Sequence, residues 1–172
     1  KRGNMRLNYT TSIMAPSLNQ LQPIPDNTNP SQVVLGNTAL IPEYTHRVTL
    51  RYRNFNQFNF SFFFASLTGS LTDNNIIYSQ QINEYYVTEL TPENIGQEKS
   101  VNAFLMYGTS IHALKTKFRV STSGSVSNGL VNLNGMQDGY TTYSLKPSIN
   151  FENIGKKILD LRTGFSYTYS VN

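Results

Sequence analysis

Over residues 47–54, RVTLRYRN, apolar and polar side chains alternate: Val48, Leu50 and Tyr52 point one way, and Arg47, Thr49, Arg51 and Arg53 the other. Successive side chains of a strand project from opposite faces of a sheet, so this stretch predicts a strand with one apolar and one cationic face. The pattern recurs. Val101, Ala103, Leu105, Tyr107 and Ile111 share one face of 100–111, although Phe104 and Met106 blur the other. Phe118, Val120 and Val126 oppose Lys117, Arg119, Ser121, Ser123 and Ser125, while Tyr143, Leu145, Ile149 and Phe151 oppose Ser144, Lys146, Ser148 and Asn150. Over 158–171, Leu159, Leu161, Phe165, Tyr167, Tyr169 and Val171 face away from Asp160, Arg162, Gly164, Ser166, Thr168 and Ser170. A helical period would scatter these apolar positions around an axis; a period of two gathers them.

The alternation predicts about seven strands, at roughly 5–13, 44–54, 57–71, 99–111, 117–127, 141–152 and 158–171. Globular strands average about 5–6 residues, whereas a tilted membrane-spanning strand needs about 9–11. The connections also alternate. Long loops at about 14–43, 72–98 and 128–140 follow one end, and short turns near 54–57, 112–116 and 153–157 follow the other. An up-and-down barrel with short turns on one side has this rhythm, which a Greek-key sandwich does not require.

The expected fold is therefore all-β: long antiparallel up-and-down strands forming a segment of a transmembrane β-barrel, one partial barrel domain over 1–172. In that arrangement Val48, Leu50, Tyr52, Leu159, Leu161, Phe165 and Tyr167 face lipid. Arg47, Arg51, Arg53, Lys146 and Arg162 face a watery or plugged lumen, where water screens like charges. The same alternation also fits an amphipathic sheet lying on a soluble core, with its arginines in solvent.

Composition narrows the field. Charged residues are 14% of the chain, against roughly 25% in soluble domains. Aromatics are 12%, with no Trp. The absence of cysteine excludes disulfides and thiolate metal sites. The net charge of +4 is spread along the chain without a Lys/Arg block, which reads as a mildly basic surface. No apolar run reaches the length of a transmembrane helix. The N-terminal KRGNMRLNYT lacks a signal-peptide core and opens directly on a strand pattern, with Met5, Leu7 and Tyr9 against Arg6, Asn8 and Thr10, so the chain reads as cut from a longer one.

Residues 16–55 carry a resemblance. Pro16-Ser17, Gln20-Leu21, Asn29-Pro30, Gly36-Asn37, Leu40 and Pro42-Glu43-Tyr44 resemble the barrel region of TonB-dependent-receptor-like outer-membrane β-barrel proteins of the Bacteroidota type. Thr38 stands where that family often has Pro, and residues 93–105, ENIGQEKSVNAFL, resemble its Asn-x-Gly segment leading into a strand. The resemblance implies a bacterial outer-membrane location, a barrel continued by the rest of a parent chain, an N-terminal plug and uptake energised by a TonB-type complex. Neither a plug nor a TonB box is recognisable here, and the chain ends in YTYSVN rather than a terminal aromatic. Locally, Gly36 is expected to supply a positive φ in a turn, and Pro42 to fix φ where a strand begins.

No catalytic chemistry emerges. His46 and His112 lack metal spacing, and neither a phosphate loop nor a nucleophile elbow is present. Asp26, Glu43, Asp73, Glu84, Glu89, Glu93, Glu98 and Asp138 lie in or beside expected loops without calcium-loop spacing. The expectation is a non-enzymatic protein with no cofactor and no catalytic or metal residue, its ligand residues unknown. Phe55, Phe58, Phe60 and Phe62 are expected to form an interfacial girdle, and Tyr85 and Tyr86 are loop aromatics able to touch a ligand. The leading functional expectation is the barrel segment of a nutrient transporter, partnered by outer-membrane lipid. Against it stands a soluble β-sandwich binding or adhesion module. Nucleic-acid binding through Arg47, Arg51, Arg53, Lys117 and Arg119 is the least supported and is not expected.

Overall fold

Alternation drives the chain into long strands because only the extended backbone sends every second side chain to the same face. The computed structural model describes residues 2–29, 31–111, 115–153 and 162–171. The chain begins with β1 (Arg2–Met14), a one-turn helix α1 (Leu18–Leu21), β2 (Asp26–Asn29) and β3 (Gln32–Val34). It continues through β4 (Glu43–Asn56), β5 (Ser61–Asp73), β6 (Ile76–Ile82), β7 (Thr88–Asn94) and β8 (Gln97–Ile111). It closes with β9 (Thr116–Leu133), β10 (Met136–Asn153), β11 (Arg162–Ser166) and β12 (Tyr169–Val171).

The long strands make one antiparallel meander: β1 beside β4, then β5, β8, β9 and β10, with β11 and β12 both on the far side of β10. This is the expected up-and-down order, and among the described residues the wall is open rather than closed into a ring. Ser148 pairs with Ser166 and Leu145 with Tyr169, so β11 and β12 share one register. The interruption between them has its cause on β10. Pro147 accepts a hydrogen bond from the Tyr167 amide at 3.1 Å but has no N–H to return. With β11 and β12 counted as one, the wall supplies the seven strands that alternation predicts. The strands β2, β3, β6 and β7 are additional, folded out of segments expected to be loops.

Residues 128–140 need correction: they are strand, not loop. β9 runs to Leu133, β10 starts at Met136, and Asn134 (φ 51°) with Gly135 (φ 77°) makes the two-residue turn between them. Two successive positive φ values match the right-handed twist of the flanking strands, so the ladder continues unbroken beyond the wall. The tight turn near 54–57 likewise falls at 57–60, three residues further along than its expected start.

Register sorts the faces. Leu7, Leu50, Leu67, Ala103, Gly124, Leu145 and Tyr169 lie side by side across the wall. One residue along, Asn8, Thr49, Thr68, Asn102, Ser125, Ser144 and Ser170 form an all-polar row on the other face. Hydroxyl pairs cross-link that face: Ser125 to Ser144 at 2.7 Å, Ser70 to Ser100 at 2.8 Å and Thr45 to Thr72 at 3.0 Å. The apolar face is uncovered, with Leu7 66% and Leu145 50% exposed. Among the described residues the buried hydrophobic side chains, Leu40 and Ile95, sit in the connections at one end of the wall. A water-soluble sandwich would bury the apolar face against a second sheet; none of the described residues forms one.

Candidate functional site

The polar face of β1 and β4 gathers arginines. Arg6 stands directly opposite Arg51, Asn4 opposite Arg53, and Arg47 opposite Thr10. Directly opposed residues hold their Cβ atoms about 5 Å apart. Two positive charges about 6 Å apart repel by about 0.7 kcal/mol in water and about 3 kcal/mol at an effective dielectric of about 20. Among the described residues none of these guanidinium groups has a carboxylate within ion-pair reach. Of the other cations on this face, Lys117 meets Glu152 at 3.7 Å, and Arg119 lies over the Phe62 ring at 5.9 Å.

The next two wall strands supply the floor. Phe64 on β5 lies tilted against Phe104 on β8, their ring centroids 5.9 Å apart. With Asn4, Arg6, Arg51, Arg53 and Ser66 they line an open groove of about 480 Å³. A second hollow of about 320 Å³ shares Ser66 and Phe104 and continues to Ser123 and Lys146. The arrangement offers charge, hydrogen-bond donors and an aromatic surface, with no nucleophile–base pair.

The sequence places Arg47, Arg51, Arg53 and Lys146 correctly on the polar face, and Val48, Leu50, Tyr52, Phe165 and Tyr167 on the apolar one. Leu159, Leu161 and His112 lie outside the described residues, and Arg162 is described by its backbone pairing with Glu152 alone. The five cations of the nucleic-acid alternative are not brought together, since Lys117 and Arg119 lie on β9, three strands away from β4.

The expected Phe55–Phe62 girdle does not form. Phe55 and Phe62 share the polar face with Arg53, Phe62 fills the space over Gly108, and Phe58 and Phe60 lie in the turn. Instead, aromatics bracket the apolar band: Tyr9, Tyr44 and Tyr143 toward the long connections, and Phe63, Tyr107 and Phe165 toward the tight turns. Tyr9 is bonded to His46 Nδ1 at 2.6 Å, and His46 Nε2 is 3.8 Å from Asp73. Beyond Tyr9 the same face turns polar, with His46, Lys99, Asn128 and Thr141 in one row or beside it. This girdle is invisible without the register, because its members come from different strands.

The resemblance-bearing residues are structural, as expected, but one role differs. Gly36 does not have positive φ. A Cβ there would collide with the Gln22 carbonyl oxygen, so glycine is needed for close backbone approach. Next to it, the Asn37 amide group donates to the Pro92 carbonyl at 3.0 Å. Asn94 accepts from the Ile41 N–H at 2.9 Å and donates to the carbonyls of Ile41 and Asn74 at 3.0 and 2.7 Å. Glu43 accepts from the Ile76 N–H at 2.7 Å. These bonds lock the 15–42 and 74–96 connections into one cap at one end of the wall. Gly96 lies over Leu130, and Asn134 donates to the Gln80 carbonyl, tying the cap to the β9–β10 extension. At the cap's tip Asn83 accepts from the N–H groups of Tyr85 and Val87, and both Tyr85 and Tyr86 are exposed.

A family described as outer membrane protein β-barrel matches residues 1–171 of the chain. No curated protein matches it.

Proposed function

From the premise that the chain belongs to an outer membrane protein β-barrel family and is located in the outer membrane, we propose that it is wall and cap of a TonB-dependent-receptor-like transporter for nutrient uptake, without enzymatic activity. One observation carries the reading. The wall is uncovered and apolar on one face, while the other joins a hydroxyl-rich surface to an uncompensated arginine cluster. Lipid on the first face and a solute path along the second use both.

The cap then lies outside the cell, as the long connections of such barrels do. The remaining barrel wall and a plug come from the parent protein, and a TonB-type complex supplies the energy. The test is growth of a strain lacking the parent gene on a panel of single nutrients, with and without a protonophore. Loss of growth on some nutrient, restored by the gene only in energised cells, is the expected result. Unchanged growth on every nutrient would overturn transport.

A further inference from the structure

We propose that the groove between Arg6, Arg51 and Arg53 is a binding station for anionic solutes, taking a carboxylate or phosphate group attached to an apolar or ring-shaped portion. The inference deepens the transport reading and rests on the polar face being the lumen.

Three features converge on it. The first is charge without compensation. On this face the acids of the described wall strands stand toward the two ends, Glu43, Glu98 and, on the β9–β10 extension, Asp138 toward the cap, and Glu152 toward the tight turns. Glu43 is engaged by the Ile76 N–H, and Glu152 by Lys117. The stretch between them presents Arg6, Arg47, Arg51, Arg53 and Lys146 with no carboxylate partner among the described residues.

The second is the identity of the cations. All those lining the groove are arginines, whose planar guanidinium grips a carboxylate or phosphate through two parallel N–H donors. The Asn4 amide and Ser66 hydroxyl add uncharged donors on the same lining. The third is the floor. Phe64 and Phe104 put an aromatic surface directly beside the charges, where a bare inorganic anion would leave it unused. Lys146, reached through the adjoining hollow that shares Ser66 and Phe104, gives a bound anion a second cation to move toward.

The test uses full-length protein purified in detergent, with phenyl phosphate, benzoate and neutral benzyl alcohol as probes, followed by titration calorimetry at low and high salt. At least one of the two anions is expected to bind, more weakly in high salt, while benzyl alcohol does not. Comparing phenyl phosphate with benzoate shows which anionic group the station prefers. Arg51→Gln and Arg6→Gln, on different strands, are each expected to weaken binding by about tenfold or more, the scale of one charge-assisted hydrogen-bonded contact. Arg51→Lys should restore part of it, and Lys99→Gln, on the opposite face, should leave it unchanged.

Unchanged binding in both arginine-to-glutamine variants would overturn the proposal. So would the absence of anion binding to the wild type, the result expected if an acidic segment of the parent chain already occupies the arginines. Binding is read on purified protein and growth in cells, so a failed transport reading leaves binding intact and a failed station leaves growth intact.

Discussion

Leu67→Arg tests the placement of the apolar face at its centre. Leu67 sits in the middle of the wall, between Leu50 and Ala103 in the leucine-rich row, with Val48, Leu105 and Val101 close by on the same face. Among the described residues no charged side chain occupies that face from the Phe63 row to the Tyr9 row. An arginine at the bilayer midplane of such a wall costs about 2–4 kcal/mol. Leu71 is the internal control. It lies on the same face of the same strand, between His46 and Lys99 in the polar row. Four residues of strand rise about 14 Å, and a tilt of about 40° turns that into roughly 10 Å of depth. Leu71→Arg therefore reaches the interface, where the cost falls to about 0–1 kcal/mol.

Both variants would be made in the full-length protein and refolded into phospholipid vesicles across a urea series. The folded fraction would be read from heat-modifiable migration on unboiled gels. The expected difference between them is about 1–4 kcal/mol, with Leu67→Arg the weaker. Equal stabilities would refute the reasoning, because a face packed in protein or bathed in water has no depth dependence.

Three further outcomes follow from local geometry. Gly36→Ala should loosen the cap by about 1–3 kcal/mol, because the new methyl group meets the Gln22 backbone rather than a movable side chain; hydrogen exchange rising around Gln22 and Asn37 would show it, and unchanged exchange would contradict it. Asn94→Ala removes one accepted and two donated bonds and should raise exchange across 37–42 and 74–76 by an amount equivalent to about 1–3 kcal/mol, leaving the wall's amides protected. Pro147→Ala restores the missing donor opposite Tyr167; a slowly exchanging amide at residue 147 is expected, and rapid exchange there would show that the gap between β11 and β12 has another cause.

The wall was legible in the sequence because its code is binary. Every second residue of RVTLRYRN declares a face, and no competing period blurs it. The consecutive Phe62, Phe63 and Phe64 resist that code. Phe62 and Phe64 go to the polar face, where Gly108, Arg119 and Phe104 receive them, so hydrophobicity alone misassigns two of the three.

The cap was illegible for a different reason. Its strands are short, β7 carries Pro92 at its buried centre, and its cohesion comes from asparagine side chains binding distant backbone. No local periodicity encodes such bonds. Residues 128–140 are hard to read because Asn128-Gly129 and Asn134-Gly135 look alike in sequence; only the second turns, while Gly129 lies within β9 beneath the Tyr140 ring. The groove was half legible. The three arginines of β4 stand out, but Arg6 is brought opposite Arg51 by register alone.

The β9–β10 hairpin also bears on the order in which the wall forms. Its ladder runs without interruption from Leu133↔Met136 to Thr116↔Asn153 behind a two-residue turn. It is therefore the pairing with the smallest loop-closure cost and the most local contacts. The β1–β4 pairing closes only after the whole 15–42 connection has been gathered in. Chain entropy thus makes the tall hairpin the natural nucleus and β1 a late arrival, and pulse-labelled exchange that protected β1 first would contradict that order. A wall nucleated this way grows from one side, adding β8, β5 and β4 in turn. Its open edge travels with the growing end and reaches the strand that carries Arg6 last among the described strands.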